Sequence, residues 1–274
     1  MRVYIRTFGC RANQADSEAV RGMLIAAGHD IAASPDDAEL AVFNSCAVTA
    51  QAEADLRAGV RRAARANPRL RSVIMGCASA RDESGTLGAL PTVGTLVSGG
   101  DLEAVAGALG VDPRLATYCT PVQQGVRALL RVQDGCDEHC TFCATTLARG
   151  ASRSRDPVAL ADEVRSLARY HDEIVVTGVH IGHYGRDIGT SLAELMERLI
   201  AAVPGARFRL TSVEATEVCE RLRALWRDAR DRLVPHLHAP LQSGSDRVLR
   251  RMGRHWYTVS RYARAVESLV LGAP

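Results

Sequence analysis

Cys136, Cys140 and Cys143 fall within eight residues, spaced C-x3-C-x2-C. Thiolates at that spacing can turn around one corner of an iron–sulfur cubane and ligate three of its irons, leaving a fourth without a protein ligand. An open iron can chelate a small molecule, which a closed four-cysteine site cannot. Structural zinc is the competing reading. It would want a fourth ligand, such as His139 or the distant Cys119, and zinc ribbons favour two C-x2-C knuckles where this chain offers one. Cys10, Cys46 and Cys77 form a second set: scattered in sequence, each directly follows an apolar strand-like segment. Gly9 and Gly76 precede two of them and would let backbone approach a bulky group closely. Buried structural cysteines are the alternative there. Cys119 and Cys219 have no comparable partners and read as structural or incidental.

Other residues gain meaning from their place. Glu214 and Thr177-Gly178 sit just beyond predicted strands, on the side of the cysteine loop, where carboxylates and bare backbone edges bind ribose and amino-acid head groups. Arg149, Arg153 and Arg155 follow the cysteines beside Gly150, Ser152 and Ser154. Arg247, Arg250, Arg251 and Arg254 have spacing that fits one helix face. Both groups suit phosphate, and a solvated surface is the bland alternative.

These residues need elements to position them. Val3–Thr7, Leu40–Asn44 and Ser72–Gly76 read as strands. A helix with Asp16 or Ser17 as N-cap, carrying Val20, Leu24 and Ala27 to the stop at Gly28, separates the first two. A second helix over 51–66, with Leu56, Val60 and Ala63 inward, ends before Asn67-Pro68. Alternation of this kind implies a parallel sheet with helices on both faces, whose strand ends bring Cys10, Cys46 and Cys77 to one edge. A weakly patterned stretch near 110–125, with Asp112-Pro113 and Thr120-Pro121, separates a domain over 1–115 from a second over 126–274. There Ala128–Val132, Glu173–Thr177, Arg207–Ser212 and Pro235–Ala239 read as strands. Helices follow Asp156-Pro157, with Leu160, Val164 and Leu167 on one face, and span Ser191–Ala202, 217–229, 245–252 and 258–270. The fold class is α/β: an N-terminal parallel-sheet domain followed by an open or partial (β/α) barrel.

With 274 residues and a hydrophobic fraction of 47%, the chain can bury two cores and is not a disordered protein. No apolar run reaches the ~20 residues of a membrane helix, and MRVYIRTFGC reads as a strand rather than a signal peptide. A soluble cytoplasmic protein is expected, with cysteines kept reduced. The net charge of +3 proves no nucleic-acid partner, but all 34 basic residues are arginine, each a planar fork suited to phosphate.

The sequence resembles the methylthiotransferase family along essentially its whole length. The residues are Thr7-Phe8-Gly9-Cys10-Arg11-Ala12-Asn13-Gln14 with Asp16-Ser17-Glu18, Asn44-Ser45-Cys46-Ala47-Val48-Thr49, Gly76-Cys77, and a core like that of radical S-adenosylmethionine (SAM) enzymes at Gln133-Asp134-Gly135-Cys136 through Cys143 with Ala148-Arg149-Gly150. His180-Ile181-Gly182, Tyr184-Gly185, His236-Leu237-His238 and Leu241-Gln242-Ser243-Gly244-Ser245-Asp246 look most like the branch acting on threonylcarbamoyladenosine in tRNA. They look less like the isopentenyladenosine branch or the ribosomal-protein branch.

The resemblance implies two 4Fe-4S clusters and a partial radical-SAM barrel. The cluster on Cys136, Cys140 and Cys143 would hold SAM and reduce it to a radical that takes hydrogen from C2 of the modified adenine beside the anticodon. The cluster on Cys10, Cys46 and Cys77 would supply sulfur, and a second SAM the methyl group. Phe142, Thr177, Gly178, Glu214 and Gln242 are the expected cofactor contacts; Arg149, Arg153 and Arg155 would meet the tRNA anticodon stem-loop. A flavodoxin- or ferredoxin-type protein would supply electrons, and no membrane is involved. Thr146 and Leu147 replace a usual proline and tyrosine, and Ala215 a usual proline. The chain stops at Pro274, so the expectation is a C-terminally truncated member without the small tRNA-gripping β-barrel module. Alternatives are a ribosomal-protein methylthiotransferase and an inactive iron–sulfur or tRNA-binding remnant.

Overall fold

The computed structural model describes residues 1–47, 49–117 and 122–272. The chain divides into two compact units, Met1–Thr120 with Leu147–Arg149, and Pro121–Thr146 with Gly150–Pro274.

In the first unit, β1 (Arg2–Phe8), α1 (Arg11–Ala26), β2 (Asp30–Ile31), β3 (Leu40–Ser45), α2 (Ala50–Ala66), β4 (Arg71–Gly76), β5 (Val93–Ser98) and α3 (Leu102–Leu109) follow in order. The sheet runs β2-β1-β3-β4-β5 with every neighbouring pair parallel. Its strands are apolar runs because both faces are covered. Val3, Val42, Val73 and Met75 pack with Val20, Met23 and Leu24 of α1 and Val105 and Leu109 of α3. The alternate residues Phe43 and Ile74 pack with Leu56, Val60 and Ala63 of α2. Phe8 pairs with Ser45, and Ser45 with Gly76, so β1, β3 and β4 end level with one another. The order reverses between β1 and β3, the place in open α/β sheets where ligands bind at the carboxyl ends of the strands.

Two expectations change here. The first helix begins at Arg11, with Cys10 in the N-cap position, and not at Asp16 or Ser17; both lie buried inside it. Their oxygens serve tertiary partners rather than the helix end. The sequence reading also passed over β5 and α3, although α3 is bounded by conventional signals. Asp101 accepts from the Ala104 N–H at 3.0 Å, and Gly110 closes the helix in the left-handed region at φ 69°.

The second unit contains β6 (Ala128–Arg131), β7 (Gln133–Asp134), α4 (Thr145–Arg149, its last three residues grouping with the first unit), β8 (Arg153–Ser154), α5 (Pro157–Leu167), β9 (Glu173–Thr177), α6 (Leu192–Ala202), β10 (Arg207–Leu210), α7 (Glu220–Asp228), α8 (Asp246–Arg251) and α9 (Val259–Gly272). A three-stranded parallel sheet runs β10-β9-β6, and β7 pairs antiparallel with β8. Asp156 caps α5 by accepting from Val158 and Ala159 at 2.9 and 2.8 Å, and the stripe Leu160, Val164, Leu167 is fully buried. Ser191 caps α6 in the same way. The strand expected at Pro235–Ala239 does not form. A single bridge between Phe208 and Leu233 stands in its place, and Pro235, which has no N–H to donate, follows two residues later. No helix of the described residues is long and apolar enough to cross a membrane.

Candidate functional site

In the first unit the level strand ends deliver the expected convergence. Cys10 follows β1, Cys46 follows β3 and Cys77 follows β4; Cys10 is exposed and the other two are buried. All three are free thiols. The Cys10 thiol donates to Asn13 Oδ1 at 3.3 Å. A hydrogen bond with Cys46 outweighs burial and, with help from the Asn13 and Ala12 backbone N–H groups and the Arg149 charge, brings the Cys10 pKa down to about 6. Burial pushes the Cys77 thiol up, against a hydrogen bond and charge from Arg149. Arg149 in turn donates to Asp16 at 2.6 Å, and the two side chains are 1% and 0% exposed. A buried amide pair frames the site: Asn13 donates to Asn44 Oδ1 at 2.9 Å, and Asn44 returns a bond to the Asn13 carbonyl at 2.8 Å. Asn44 also donates to Ser17, which accepts from Thr7.

The glycines beside these cysteines have a more local reason than room for a cofactor. A Cβ on Gly9 would stand 2.6 Å from Asn13 Oδ1 and 2.9 Å from Cys46 Cβ. Gly76 has φ +101°, and its Cβ would meet the Ser45 carbonyl and stand 2.6 Å from Asn44 Oδ1. They let the strand ends close on one another.

In the second unit the loop after β7 carries Cys136, Cys140 and Cys143, each partly exposed and free. The backbone N–H groups of Glu138 and Thr145 donate to Cys136 Sγ and Cys143 Sγ, both at 3.4 Å. Arg254 Nη1 donates to Cys140 Sγ at 3.4 Å, and His180 Nδ1 lies 3.7 Å from Cys136 Sγ. Burial raises the Cys140 pKa against the pull of Arg254. Gln133, wholly buried, clamps the loop. Its amide nitrogen donates to the Gly135 carbonyl at 2.6 Å and its oxygen accepts from Val179 and His180 N–H at 3.1 and 2.9 Å.

Both cysteine triads are sets of soft thiolate donors, of the kind that suits iron–sulfur clusters. Among the described residues, His180, His183 and Glu217 also bring one donor atom each within 4.8 Å of one another. Cys119 lies outside the described residues, and the side chains that reach the loop sulfurs are those of His180 and Arg254 rather than His139; Cys219 is exposed at the start of α7.

The remaining candidates are distributed unevenly. Thr177 is buried at the end of β9 and accepts from Thr211 Oγ1 at 3.1 Å; Gly178 lies against Gln133, where a Cβ would stand 2.6 Å from its carbonyl. Phe142 is 51% exposed in the cysteine loop, and Gln242 is exposed with φ +68°. Glu214 is buried and occupied: Arg254 Nη2 and Trp256 Nε1 both donate to its carboxylate, the latter at 2.8 Å. Of the arginines expected to meet phosphate, Arg149 is turned inward onto Asp16. Arg155 donates to the Arg131 carbonyl at 2.7 Å and pairs with Glu163 at 2.6 Å, so neither presents a free fork. Arg153 is exposed on β8. Arg254 also departs from expectation: it lies beyond α8, buried, while Arg247, Arg250 and Arg251 are exposed.

A histidine–carboxylate cluster completes the second unit's site. His180 Nε2 lies 2.8 Å from Glu217 Oε1, and His183 Nε2 lies 3.2 Å from the same oxygen and 3.4 Å from Glu138. The imidazoles stack at 3.9 Å. Burial alone would lower the His180 pKa, but its bonds with Cys136 and Glu217 raise it to about 9; burial likewise would raise Glu217, yet the two histidines bring it to about 2. The sequence carried only a faint signal for this cluster, the two histidines in His180-Ile181-Gly182-His183, because Glu217 lies more than thirty residues downstream.

Residues 2–98 match uncharacterized protein family UPF0004, and residues 130–270 match the radical SAM superfamily. Threonylcarbamoyladenosine tRNA methylthiotransferase MtaB of Thermotoga maritima is 35% identical over 283 residues, covering 97% of this chain and 64% of the relative. The protein of the same name from Aquifex aeolicus is 31% identical over 292 residues, with 100% and 70% covered. The tRNA-2-methylthio-N(6)-dimethylallyladenosine synthase of Desulfosudis oleivorans is 32% identical over 283 residues, with 95% and 60% covered. The chain thus spans 60–70% of the length of these relatives. Matched along both units, it belongs to the radical SAM superfamily and, within it, to the methylthiotransferases.

Proposed function

We propose that the chain carries the catalytic core of a tRNA methylthiotransferase that replaces the C2 hydrogen of N6-threonylcarbamoyladenosine, beside the anticodon, with a methylthio group. The observation that carries the reading is the pair of free cysteine triads, one on a loop at Cys136, Cys140 and Cys143 and one on level strand ends at Cys10, Cys46 and Cys77. The names of the relatives from Thermotoga maritima and Aquifex aeolicus support the choice of nucleoside.

Cys136, Cys140 and Cys143 would hold three irons of a 4Fe-4S cluster and leave one position open for the amino-acid head group of SAM. When bound, that cluster and SAM together supply a one-electron cleavage that yields a radical strong enough for a C–H bond with no acidic character. Thr177 and Gly178, both buried at the carboxyl end of β9, would form the floor of the SAM site. Phe142 and Gln242, exposed in the cysteine loop and in the segment before α8, offer a ring face and an amide. Glu214 is engaged by Arg254 and Trp256 and shapes the site from behind rather than reaching the ligand. Cys10, Cys46 and Cys77 would hold a second cluster as the source of sulfur, with Asn13, Asn44 and Arg149 fixing the thiols. Arg153, exposed on β8, would meet the phosphates of the anticodon stem-loop. A flavodoxin- or ferredoxin-type donor supplies the electrons, and the setting is cytoplasmic.

Anaerobic reconstitution with iron and sulfide tests the reading. About eight irons are expected per chain, falling to about four in each triple Cys→Ala variant. With SAM, a reductant and tRNA bearing the nucleoside, 5′-deoxyadenosine should form and the nucleoside should gain a methylthio group. A zinc-loaded protein, or an iron-loaded one that never cleaves SAM, would overturn the proposal.

A further inference from the structure

The sulfurs of the cysteine loop do not have equal surroundings. Cys136 faces His180 Nδ1 at 3.7 Å and Cys140 receives Arg254 Nη1 at 3.4 Å, whereas Cys143 receives the Thr145 backbone N–H. Each of the two side chains is anchored from behind by a carboxylate. His180 Nε2 meets Glu217 at 2.8 Å, and Arg254 Nη2 meets Glu214. Glu217 is held further by His183 and by the Glu214 backbone N–H at 3.0 Å. Arg254 also donates to Tyr257 Oη at 3.2 Å and lies over the Trp256 ring at 4.7 Å. Neither donor can swing away without breaking several contacts.

A metal-bound thiolate accepts and cannot donate, so the group facing each sulfur must be the donor. The Nδ1 of His180 faces Cys136 and the Nη1 of Arg254, a permanent cation, faces Cys140. Hydrogen bonds and positive charge at cluster sulfurs favour the form carrying one more electron.

We infer that His180 and Arg254 are positioning residues: paired N–H donors to Cys136 and Cys140 that ease entry of an electron at that centre. The inference rests on the cluster reading above. One electron enters from a low-potential one-electron reductant, both protons stay on nitrogen, and no bond forms or breaks. The competing use of His180, His183 and Glu217, as ligands of a separate divalent ion, fits less well. A metal-bound histidine normally donates its second nitrogen to a partner, while the buried His183 Nδ1 has no protein partner.

The test is an EPR-monitored redox titration of reconstituted protein with Cys10, Cys46 and Cys77 all replaced by serine, so that one centre reports. His180→Leu and Arg254→Met should each lower the equilibrium constant for reduction about tenfold, a shift of about 59 mV to more negative potential. His180→Asn, which keeps an N–H near the Nδ1 position, should recover part of the shift; it and Arg254→Met carry the test if His180→Leu assembles no cluster. Unchanged potentials in variants with intact cluster absorbance would overturn the inference. So would stoichiometric zinc or manganese retained by wild type and lost on Glu217→Gln. Failure of wild type to form any cluster would instead remove the cluster reading itself.

Discussion

Replacing Arg149 with methionine keeps the length of the side chain and removes its charge. Asp16 then remains inside the first unit with its principal cation gone. The pair is 2.6 Å apart, and the side chains are 1% and 0% exposed, so water cannot take the place of the guanidinium. Breaking a buried pair from one side costs about 3–5 kcal/mol, because an uncompensated charge stays behind. For a unit of this size, at roughly 4 °C per kcal/mol, the midpoint should fall by about 12–20 °C. Removing both charges is a different perturbation: Asp16→Leu with Arg149→Met should return to within about 1 kcal/mol of wild type. Urea unfolding of the cluster-free, reduced chain measures this, followed by far-ultraviolet circular dichroism. Both tryptophans, Trp226 and Trp256, belong to the second unit, so fluorescence would follow the wrong transition. A cost below about 1 kcal/mol for Arg149→Met, or a double variant no better than the sum of the singles, would refute the reasoning.

Gly76→Ala forces a side chain onto a backbone at φ +101° and into the Ser45 carbonyl. It should cost at least about 2 kcal/mol in urea unfolding and reduce iron retention by the Cys10, Cys46, Cys77 set. Asp156→Ala removes the acceptor for two N–H groups of α5 and should cost about 1 kcal/mol by the same measurement, leaving the first unit unaffected. Glu217 titrates at about 2 in the fold against an ordinary value of 4.5. The stability it contributes is therefore fully present above pH 4.5 and lost as pH falls toward 2. The stability difference between wild type and Glu217→Gln should shrink across that interval, and a constant difference would contradict the ion pair. Phe43→Ala, truncating a fully buried ring between β3 and α2, should cost about 3–5 kcal/mol by chemical denaturation.

Local grammar carried much of this fold. The cysteine loop, the strand ends beside Cys10, Cys46 and Cys77, the Pro157 helix start and the Leu56, Val60, Ala63 stripe all follow from period and type within a dozen residues. Reading failed where a side chain answers to something distant. Asp16 and Ser17 have the chemistry of an N-cap and were taken for one, but their oxygens go to Arg149, Asn44 and Thr7. Pro235–Ala239 has a strand's apolar residues, but its proline removes a donor, and the chain bridges the sheet only at Leu233. Arg254 sat in a row of arginines that suited phosphate or a solvated face, and its carboxylate partner lies forty residues upstream. Glu214, beyond β10 as expected, carries Arg254 and Trp256 on its carboxylate, partners that its local sequence does not announce. Pairings between distant residues leave no periodic trace in one sequence.

The two cysteine sets differ in when they can exist. Cys136, Cys140 and Cys143 are neighbours on any chain that has left the ribosome past residue 143, folded or not, and could capture iron from an extended state. Cys10, Cys46 and Cys77 come together only after β1, β3 and β4 lie side by side in register, a non-local event that waits on the whole parallel sheet. On the two-cluster proposal, metal at the second set would therefore be bound up with folding free energy in a way that metal at the first would not. Loading should follow an order during biogenesis, and a chain whose sheet is weakened would carry half its iron while retaining a normal loop.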